Sequence, residues 1–324
     1  MTRAPTPALV QDQLELYRRM WVLRLLDMAL EESRIDGLLD GPRETAFGQE
    51  AVAVGITAAL RPRDVMTTTI PHLRHALRAG LALPLGPAIA QLIDPSLCDS
   101  QERTPVGEWK LGLHSASTPL ARSVLSALGD ADAQRRAGAG EVTLLAIADR
   151  DASTVEFTVA ATIASSWRLP VVFVVEDIRA VSGPRADRCP RGRHGMPVLS
   201  NNGKDVGAVR DSVAEAVRRT GVGEGPVLVN AVTYRSNHPV GLDPLVSERR
   251  RLIDGGVSCA HLYEVERRAR HLVAEAESFD DGHGAGGGGG AGPRAGALAG
   301  DQLSRPCRIP SATAAARSLT PSFS

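Results

Sequence analysis

Acidic side chains follow two apolar, β-branched segments of the sequence, close to the point where each segment ends. Asp149, Arg150 and Asp151 follow the first segment, and Glu176 and Asp177 follow the second. Carboxylate oxygens brought together at one edge of a sheet are suitable ligands for a hard cation such as Mg²⁺. Acids in such loops also cap helices, and the spacing alone leaves both interpretations open.

A histidine follows a third apolar segment of the same kind. His238 lies in the loop after Tyr234, where an imidazole could take part in catalysis. A lone histidine in a loop is more commonly a solvated or packing residue, so its position alone does not establish that role.

A sheet must position these residues. Three short apolar segments, 142–148, 170–175 and 227–232, lack polar alternation and are typical of parallel strands buried on both faces. Segments of helical length, 153–167 and 206–220, lie between them. This order predicts an α/β fold with a doubly wound, mainly parallel sheet flanked by helices. Ligands of such folds bind beyond the carboxyl ends of the strands, where the acidic residues lie.

A helical N-terminal extension precedes the predicted sheet. Apolar residues from Leu14 to Leu30 recur at three- and four-residue spacings, which is typical of an amphipathic helix. The next segment, 49–60, is rich in alanine and glycine, and such small residues allow close approach in a core or a subunit interface. Segment 249–276 also has mostly helical spacing.

The composition argues against several classes of protein. The chain carries 37 basic and 37 acidic side chains, so its net charge of zero gives no general attraction to nucleic acid or anionic membranes. No apolar run reaches the roughly 18 residues that span a bilayer. The four cysteines lie far apart without zinc-ligand spacing, and the N-terminus has no signal-peptide pattern. We expect a cytoplasmic protein that binds neither nucleic acid nor membrane.

The hydrophobic patterning stops before the C-terminus. Residues 282–300 contain ten of the 32 glycines, and no periodicity is found after residue 278. Segments of this composition stay disordered because they bury too little apolar surface to offset the entropy of ordering. The sequence therefore predicts one domain at 1–278 and a glycine-rich disordered tail at 279–324.

Five collinear segments resemble a known family. In chain order they are LELYRRMWVLRLLD, FGQEAVAVGITAALRPRD, HALRAG, WRLPVVFVVED and GEGPVLVNAVTYR. Their order and spacing resemble the alpha subunits of thiamine diphosphate-dependent 2-oxo acid dehydrogenases, which belong to the decarboxylating components of the pyruvate, branched-chain and acetoin dehydrogenase complexes. The resemblance covers residues 14–272.

The resemblance implies an oxidoreductase acting on 2-oxo acids, in which this chain binds the diphosphate of the cofactor. A separate beta subunit supplies the pyrimidine-binding domain, and two alpha and two beta chains form a heterotetramer. The component decarboxylates a small-molecule 2-oxo acid and passes the acyl group to a lipoyl group on an acyltransferase component. The implied cofactors are thiamine diphosphate and Mg²⁺.

The resemblance also implies a cofactor motif, Gly-Asp-Gly after one strand and Asn-Asn after the next, in which the Asp and the second Asn bind Mg²⁺. Aligned without a gap, the motif Asp is Asp149, the flanking glycines are Ala148 and Arg150, and the Asn positions are Asp177 and Ile178. Ile178 offers no oxygen to a cation that demands near-octahedral coordination. We hypothesise that the guanidinium of Arg150 contacts the diphosphate directly and replaces part of the metal's charge.

Two further family contacts align near their expected positions. Gly112 keeps the first glycine of a cofactor-contacting Gly-Ile-Val-Gly segment, and the family's loop histidine aligns with Pro239, one residue after His238. We therefore assign metal binding to Asp149 and catalysis to His238, and we expect the following residues to contact the cofactor: Gly112, Asp149, Arg150, Asp151 and Asp177.

Three functions are consistent with these residues. The first, which we favour, is a working alpha subunit with altered cofactor contacts. The second is a cofactor-impaired pseudoenzyme subunit that pairs with a beta subunit as a structural or regulatory partner. The third is a binding module that reuses the cleft for another small anion.

Overall fold

The computed structural model describes residues 7–37, 46–70, 104–106, 109–113, 119–179, 195–234 and 243–281. They belong to the first of two units, Met1–His283, and the second unit, Gly284–Ser324, lies outside the described residues. The last helix continues to Asp281, past the predicted domain end at 278. The remainder of the predicted tail lies outside the described residues.

Seven α-helices occur in the described ranges. They are α1 (Pro7–Ile35), α2 (Glu50–Ala59), α3 (Leu120–Ala137), α4 (Val155–Ser166), α5 (Val206–Gly221), α6 (Pro244–Asp254) and α7 (Cys259–Asp281). Polar side chains begin three of them: Thr154 caps α4, Asp205 caps α5 and Asp243 caps α6 by accepting hydrogen bonds from the first free N–H groups. None of these helices combines the length and the apolarity needed to cross a membrane.

The strands form one mainly parallel sheet. They are β1 (Val65–Thr68), β2 (Thr104–Val106), β3 (Trp109–Leu113), β4 (Thr143–Ala148), β5 (Val171–Arg179), β6 (Val198–Asn202) and β7 (Val227–Tyr234). Their order is β2-β3-β1-β4-β5-β7-β6. Within the described ranges, only the edge strand β2 pairs antiparallel with its neighbour, and the other pairs are parallel. The predicted α/β class with a mainly parallel sheet is confirmed.

Two apolar clusters cover the two faces of this sheet. One cluster joins alternate residues of β4, β5 and β7 to α1, α2, α5, α6 and α7. The other joins the intervening residues, among them Leu145 and Phe173, to α3 and α4. Because both faces are covered, successive strand residues are all buried, which explains the absence of polar alternation in the sequence.

The prediction for the end of β5 is wrong. The sequence places Glu176 and Asp177 after the strand, whereas β5 continues to Arg179 and both acids lie within it. The strand continues because β7 also extends, and the ladder between them includes the pairs Ile178 with Thr233 and Arg179 with Tyr234. These ladder hydrogen bonds satisfy the backbone, so β5 does not end where its apolar run ends.

The small residues of α2 pack inside this chain. A Cβ atom added to Gly55 would lie 2.7 Å from Cβ of Val209 on α5, so the two helices approach more closely than any larger residue would permit. Ala51, Val52 and Ala53 beside it are buried as well. The core-packing interpretation of segment 49–60 therefore holds for these residues.

A buried ion-pair network joins α1, α2 and α6. Arg24 of α1 donates through Nε to Oε1 of Glu50, and through Nη2 to Oδ2 of Asp243 at 3.0 Å. The other oxygen of Glu50 accepts from the backbone N–H of Gly48 at 3.0 Å. Glu50 is fully buried and the side chain of Arg24 is 16% exposed. The network thus connects residues that are far apart in the sequence.

Candidate functional site

The adjacent carboxyl ends of β4 and β5 bring two predicted site residues together. The register pairs Ala148 with Glu176, and the N–H of Asp149 donates to the carbonyl oxygen of Glu176 at 3.1 Å. Asp149 directly follows β4 and Asp177 is the next residue of β5, so the two residues are neighbours at the carboxyl ends of adjacent strands. In the alternation of β5, Asp177 falls on the face covered by α3 and α4.

The turn after β4 is held by hydrogen bonds of its own acids. Oδ1 of Asp149 accepts from the N–H of Arg150 at 2.7 Å. Oδ2 of Asp151 accepts from the hydroxyl of Thr69, just after β1, at 3.2 Å. Thr154 then starts α4 by accepting from the N–H of Phe157 at 3.3 Å. Asp151 therefore connects the ends of β1 and β4.

Arg150 extends away from the turn into solvent. Its side chain is 75% exposed, and its Nε lies 3.8 Å from Oδ1 of Asp151. An exposed guanidinium of this kind is accessible to an anion approaching the sheet edge. Its contact with a diphosphate remains a prediction.

Asp177 forms an ion pair within its own strand. Nε and Nη2 of Arg179 both donate to Oδ2 of Asp177, at 2.8 Å and 2.6 Å. The two side chains meet because residues two apart in a strand point to the same face. The side chain of Asp177 is 7% exposed and that of Arg179 is 27% exposed, so this charge-assisted contact is largely shielded from water.

Ile178 lies between these two residues and points to the opposite face of β5. It pairs in register with Thr233 of β7, whose side chain is buried. In a regular strand, the position that the alignment gives to a metal ligand therefore lies on the opposite face from Asp177. Its hydrocarbon side chain has no donor atom for a cation in either direction.

The described strand-end residues do not fit a magnesium site of the kind that the alignment implies. Mg²⁺ demands near-octahedral oxygen coordination. Asp149 contributes a carboxylate, but Asp177 is bound to Arg179 and Ile178 has no oxygen. Across the part of the chain that the structure describes, no group of three or more His, Cys, Asp or Glu side chains could hold a metal ion.

The remaining predicted residues do not join this cluster. Gly112 lies one residue before the end of β3, paired with Thr67 of β1. Since β1 separates β3 from β4, Gly112 is two strands away from Asp149. His238 lies outside the described residues. The structure thus brings together Asp149, Arg150, Asp151 and Asp177.

Two residues at this sheet edge, Arg179 and Thr69, are not predicted from the sequence. The Asp-Ile-Arg order at 177–179 would have indicated an ion pair on one strand face, had the strand been extended that far. Nothing in the sequence indicates that Thr69 contacts Asp151, because the two residues come from strands that are adjacent only in the folded sheet.

Known proteins are similar to this chain over most of its length. A family model described as the dehydrogenase E1 component matches residues 17–255. The 3-methyl-2-oxobutanoate dehydrogenase subunit alpha of Mycobacterium tuberculosis is 31% identical over 294 residues, which cover 80% of this chain and 76% of that protein. The pyruvate dehydrogenase E1 component subunit alpha of Zymomonas mobilis is 28% identical over 313 residues, which cover 83% and 84%.

The matched region contains the whole described sheet, from β1 to β7, together with α6. The family resemblance noted from five sequence segments is confirmed by this match. The chain belongs to the dehydrogenase E1 component family and is similar to the alpha subunits of its 2-oxo acid dehydrogenases.

Proposed function

We propose that this chain is the alpha-type subunit of a two-chain component that decarboxylates a 2-oxo acid with thiamine diphosphate and passes the acyl group to a lipoyl carrier. The family match supports the class of reaction, and the activities named for the similar proteins support a 2-oxo acid substrate. The single observation that carries the proposal is the position of Asp149. It lies beyond β4 at the carboxyl edge of a parallel sheet, where ligands of this architecture bind.

A beta-type subunit and a lipoyl acyltransferase are the proposed partners. Apolar side chains on α4 support a contact with another chain, since Val155 is 75% exposed and Val159, one turn later, is 52% exposed. Trp167, directly after α4, is 58% exposed. Exposed apolar groups of this size on neighbouring turns are typical of protein interfaces. They follow the turn that carries Asp149, so a partner on α4 would lie next to the proposed cofactor site.

A second candidate function is a cofactor-impaired subunit that pairs with a beta-type chain as a structural or regulatory partner. The specific observation in its favour is the pairing of Asp177 with Arg179 beside Ile178. A subunit of this kind would keep the scaffold and the partner surface, and would lose the metal-dependent contact with the diphosphate.

Cofactor titration and a CO₂-release assay on the complex copurified with a beta-type chain separate the two candidates. We expect the wild-type complex to release heat on titration with thiamine diphosphate and to release CO₂ from a 2-oxo acid. Asp149→Asn should weaken both signals at least about tenfold, as expected for loss of a group that orients the cofactor. The matched control is Asp132→Asn on α3, whose carboxylate makes only surface ion pairs with Arg135 and Arg136.

The outcomes differ clearly. A stable complex with neither heat nor CO₂ release supports the cofactor-impaired subunit. No complex with any beta-type chain contradicts both candidates. Equal losses in Asp149→Asn and Asp132→Asn would contradict the assignment of Asp149 to the site.

A further inference from the structure

Two neighbouring carboxylates at one sheet edge require a compensating positive charge. The N–H of Asp149 donates to the carbonyl oxygen of Glu176, which places Asp149 next to Asp177 at the carboxyl ends of β4 and β5. Like charges that lie close together repel each other unless a cation lies near them. Whether that cation is a bound metal ion or a side chain of the protein determines which ligands the site can accept.

The chain supplies this cation itself. Arg179 donates two hydrogen bonds to the same oxygen of Asp177, at 2.8 Å and 2.6 Å, from two residues further along the strand. A guanidinium is permanently charged at any working pH, so Arg179 supplies a fixed positive charge. Arg179 is held in place because β5 remains in its ladder with β7 up to the pair Arg179 with Tyr234.

We propose that Arg179 takes the place of a divalent cation at this sheet edge, so that the chain binds no Mg²⁺ there. A metal ion on Asp177 would have to displace two charge-assisted hydrogen bonds and would then lie next to the positive guanidinium. Ile178 has no oxygen to offer, and Asp151, in the same turn as Asp149, already accepts a hydrogen bond from the hydroxyl of Thr69. The inference rests on the proposed function only in taking this sheet edge as the cofactor site.

Removal of Arg179 should therefore create a metal site. In the Arg179→Met variant, Asp149 and Asp177 remain as a pair of carboxylates without their cation. We expect the full-length variant to bind Mn²⁺ saturably, at least about tenfold more tightly than the wild type, as judged from the effect of ligand environment on metal affinity. The measurement is electron paramagnetic resonance of free Mn²⁺ during titration, with Mn²⁺ alone and then with added thiamine diphosphate.

Two control variants separate this effect from a change in net charge. Arg150→Met removes the same charge from the same sheet edge, but its side chain is 75% exposed and does not bind Asp177. It should leave Mn²⁺ binding at the wild-type level. Adding Asp177→Asn to Arg179→Met removes the second carboxylate and should abolish the gain.

Several results would overturn the inference. Saturable Mn²⁺ binding by the wild type, as tight as in Arg179→Met, would show that the ion pair does not exclude the metal. Equal gains in Mn²⁺ affinity in Arg179→Met and Arg150→Met would show that the effect comes from net charge alone. No gain in Mn²⁺ affinity in a folded Arg179→Met protein would show that Arg179 does not exclude the metal. Circular dichroism establishes folding, and Arg179→Gln provides a second variant that keeps polar character if the methionine variant unfolds.

This test is independent of the proposed activity. Mn²⁺ binding is read on the chain itself, whereas the proposed function fails when the chain forms no complex with a beta-type partner. If the complex is active, the inference further predicts that its activity is unchanged by EDTA. Inhibition by EDTA that added Mg²⁺ reverses would contradict the inference and leave the proposed function intact.

Discussion

The buried ion pair between Arg24 and Glu50 offers a strong test of how this fold is held together. The Arg24→Met variant keeps most of the volume of the side chain and removes its charge. The carboxylate of Glu50 then stays fully buried without its charged partner and keeps the hydrogen bond from the N–H of Gly48. Removing one partner of a buried pair costs about 3–5 kcal/mol in the free energy of unfolding, because the remaining charge is uncompensated. Asp243, which caps α6, loses its contact with Arg24 as well.

Urea unfolding followed by circular dichroism measures this loss directly. For a domain of this size the loss corresponds to a fall in Tm of roughly 6–20 °C, since 1 kcal/mol shifts Tm by about 2–4 °C. The matched control is Arg34→Met on the same helix, whose ion pair with Glu31 is exposed to solvent on both sides. We expect no measurable change in that variant.

The pH dependence provides a second measurement on the same variant. Burial raises the pKa of the Glu50 carboxyl above its ordinary value, and the nearby Arg24 lowers it. Removing Arg24 therefore raises this pKa further, so the folded variant takes up a proton more readily than the unfolded chain. Its stability relative to wild type should be lowest above the folded pKa and should recover as the pH falls through it.

Two results would refute this reasoning. If Arg24→Met lowers the stability no more than Arg34→Met does, the network is not a buried, stabilising contact. If the difference from wild type grows as the pH falls, the unpaired carboxylate of Glu50 is not the source of the loss.

Two further substitutions test the packing and the local structure around the site. Gly55→Ala should lower the free energy of unfolding in urea by about 1–3 kcal/mol, because the new Cβ would lie 2.7 Å from Val209 and force α2 and α5 apart. The control is Gly129→Ala on α3, where nothing lies within 4 Å of the added Cβ, and it should not destabilise the protein. Thr154→Ala should cost about 1 kcal/mol in a thermal melt through loss of the α4 cap on Phe157, and Thr154→Ser should retain most of the wild-type stability. A neutral Gly55→Ala or an equal loss in Thr154→Ser would contradict these contacts.

Local patterns in the sequence were sufficient to predict the elements that build the sheet. The apolar runs at 142–148, 170–175 and 227–232 become β4, β5 and β7, because a strand buried on both faces has no position for polar residues. The helical spacing at 206–220 becomes α5, and the small residues of 49–60 become a helix that packs closely on it. These features depend on residues that are neighbours in the chain, so they can be predicted without a tertiary structure.

The order of the five matching segments likewise indicates the family from the sequence alone, and the aligned motif places Asp149 directly after β4. The position of Asp149 is predicted from the apolar run 142–148 alone, because Asp149 directly follows that run. The positions of Arg150 and Asp151 are predicted with it, since both residues occupy the same short turn.

Only the tertiary structure decided what surrounds Asp149. The extension of β5 to Arg179 depends on hydrogen bonds to β7, a strand that lies far along the sequence, and it moves Asp177 from a loop into a strand. That change places Asp177 and Arg179 on one face of β5, where they form an ion pair, and places Ile178 on the other face. Contacts between distant segments, such as Arg24 with Asp243 and Thr69 with Asp151, leave no local pattern in the sequence, because they exist only once the helices and strands have packed.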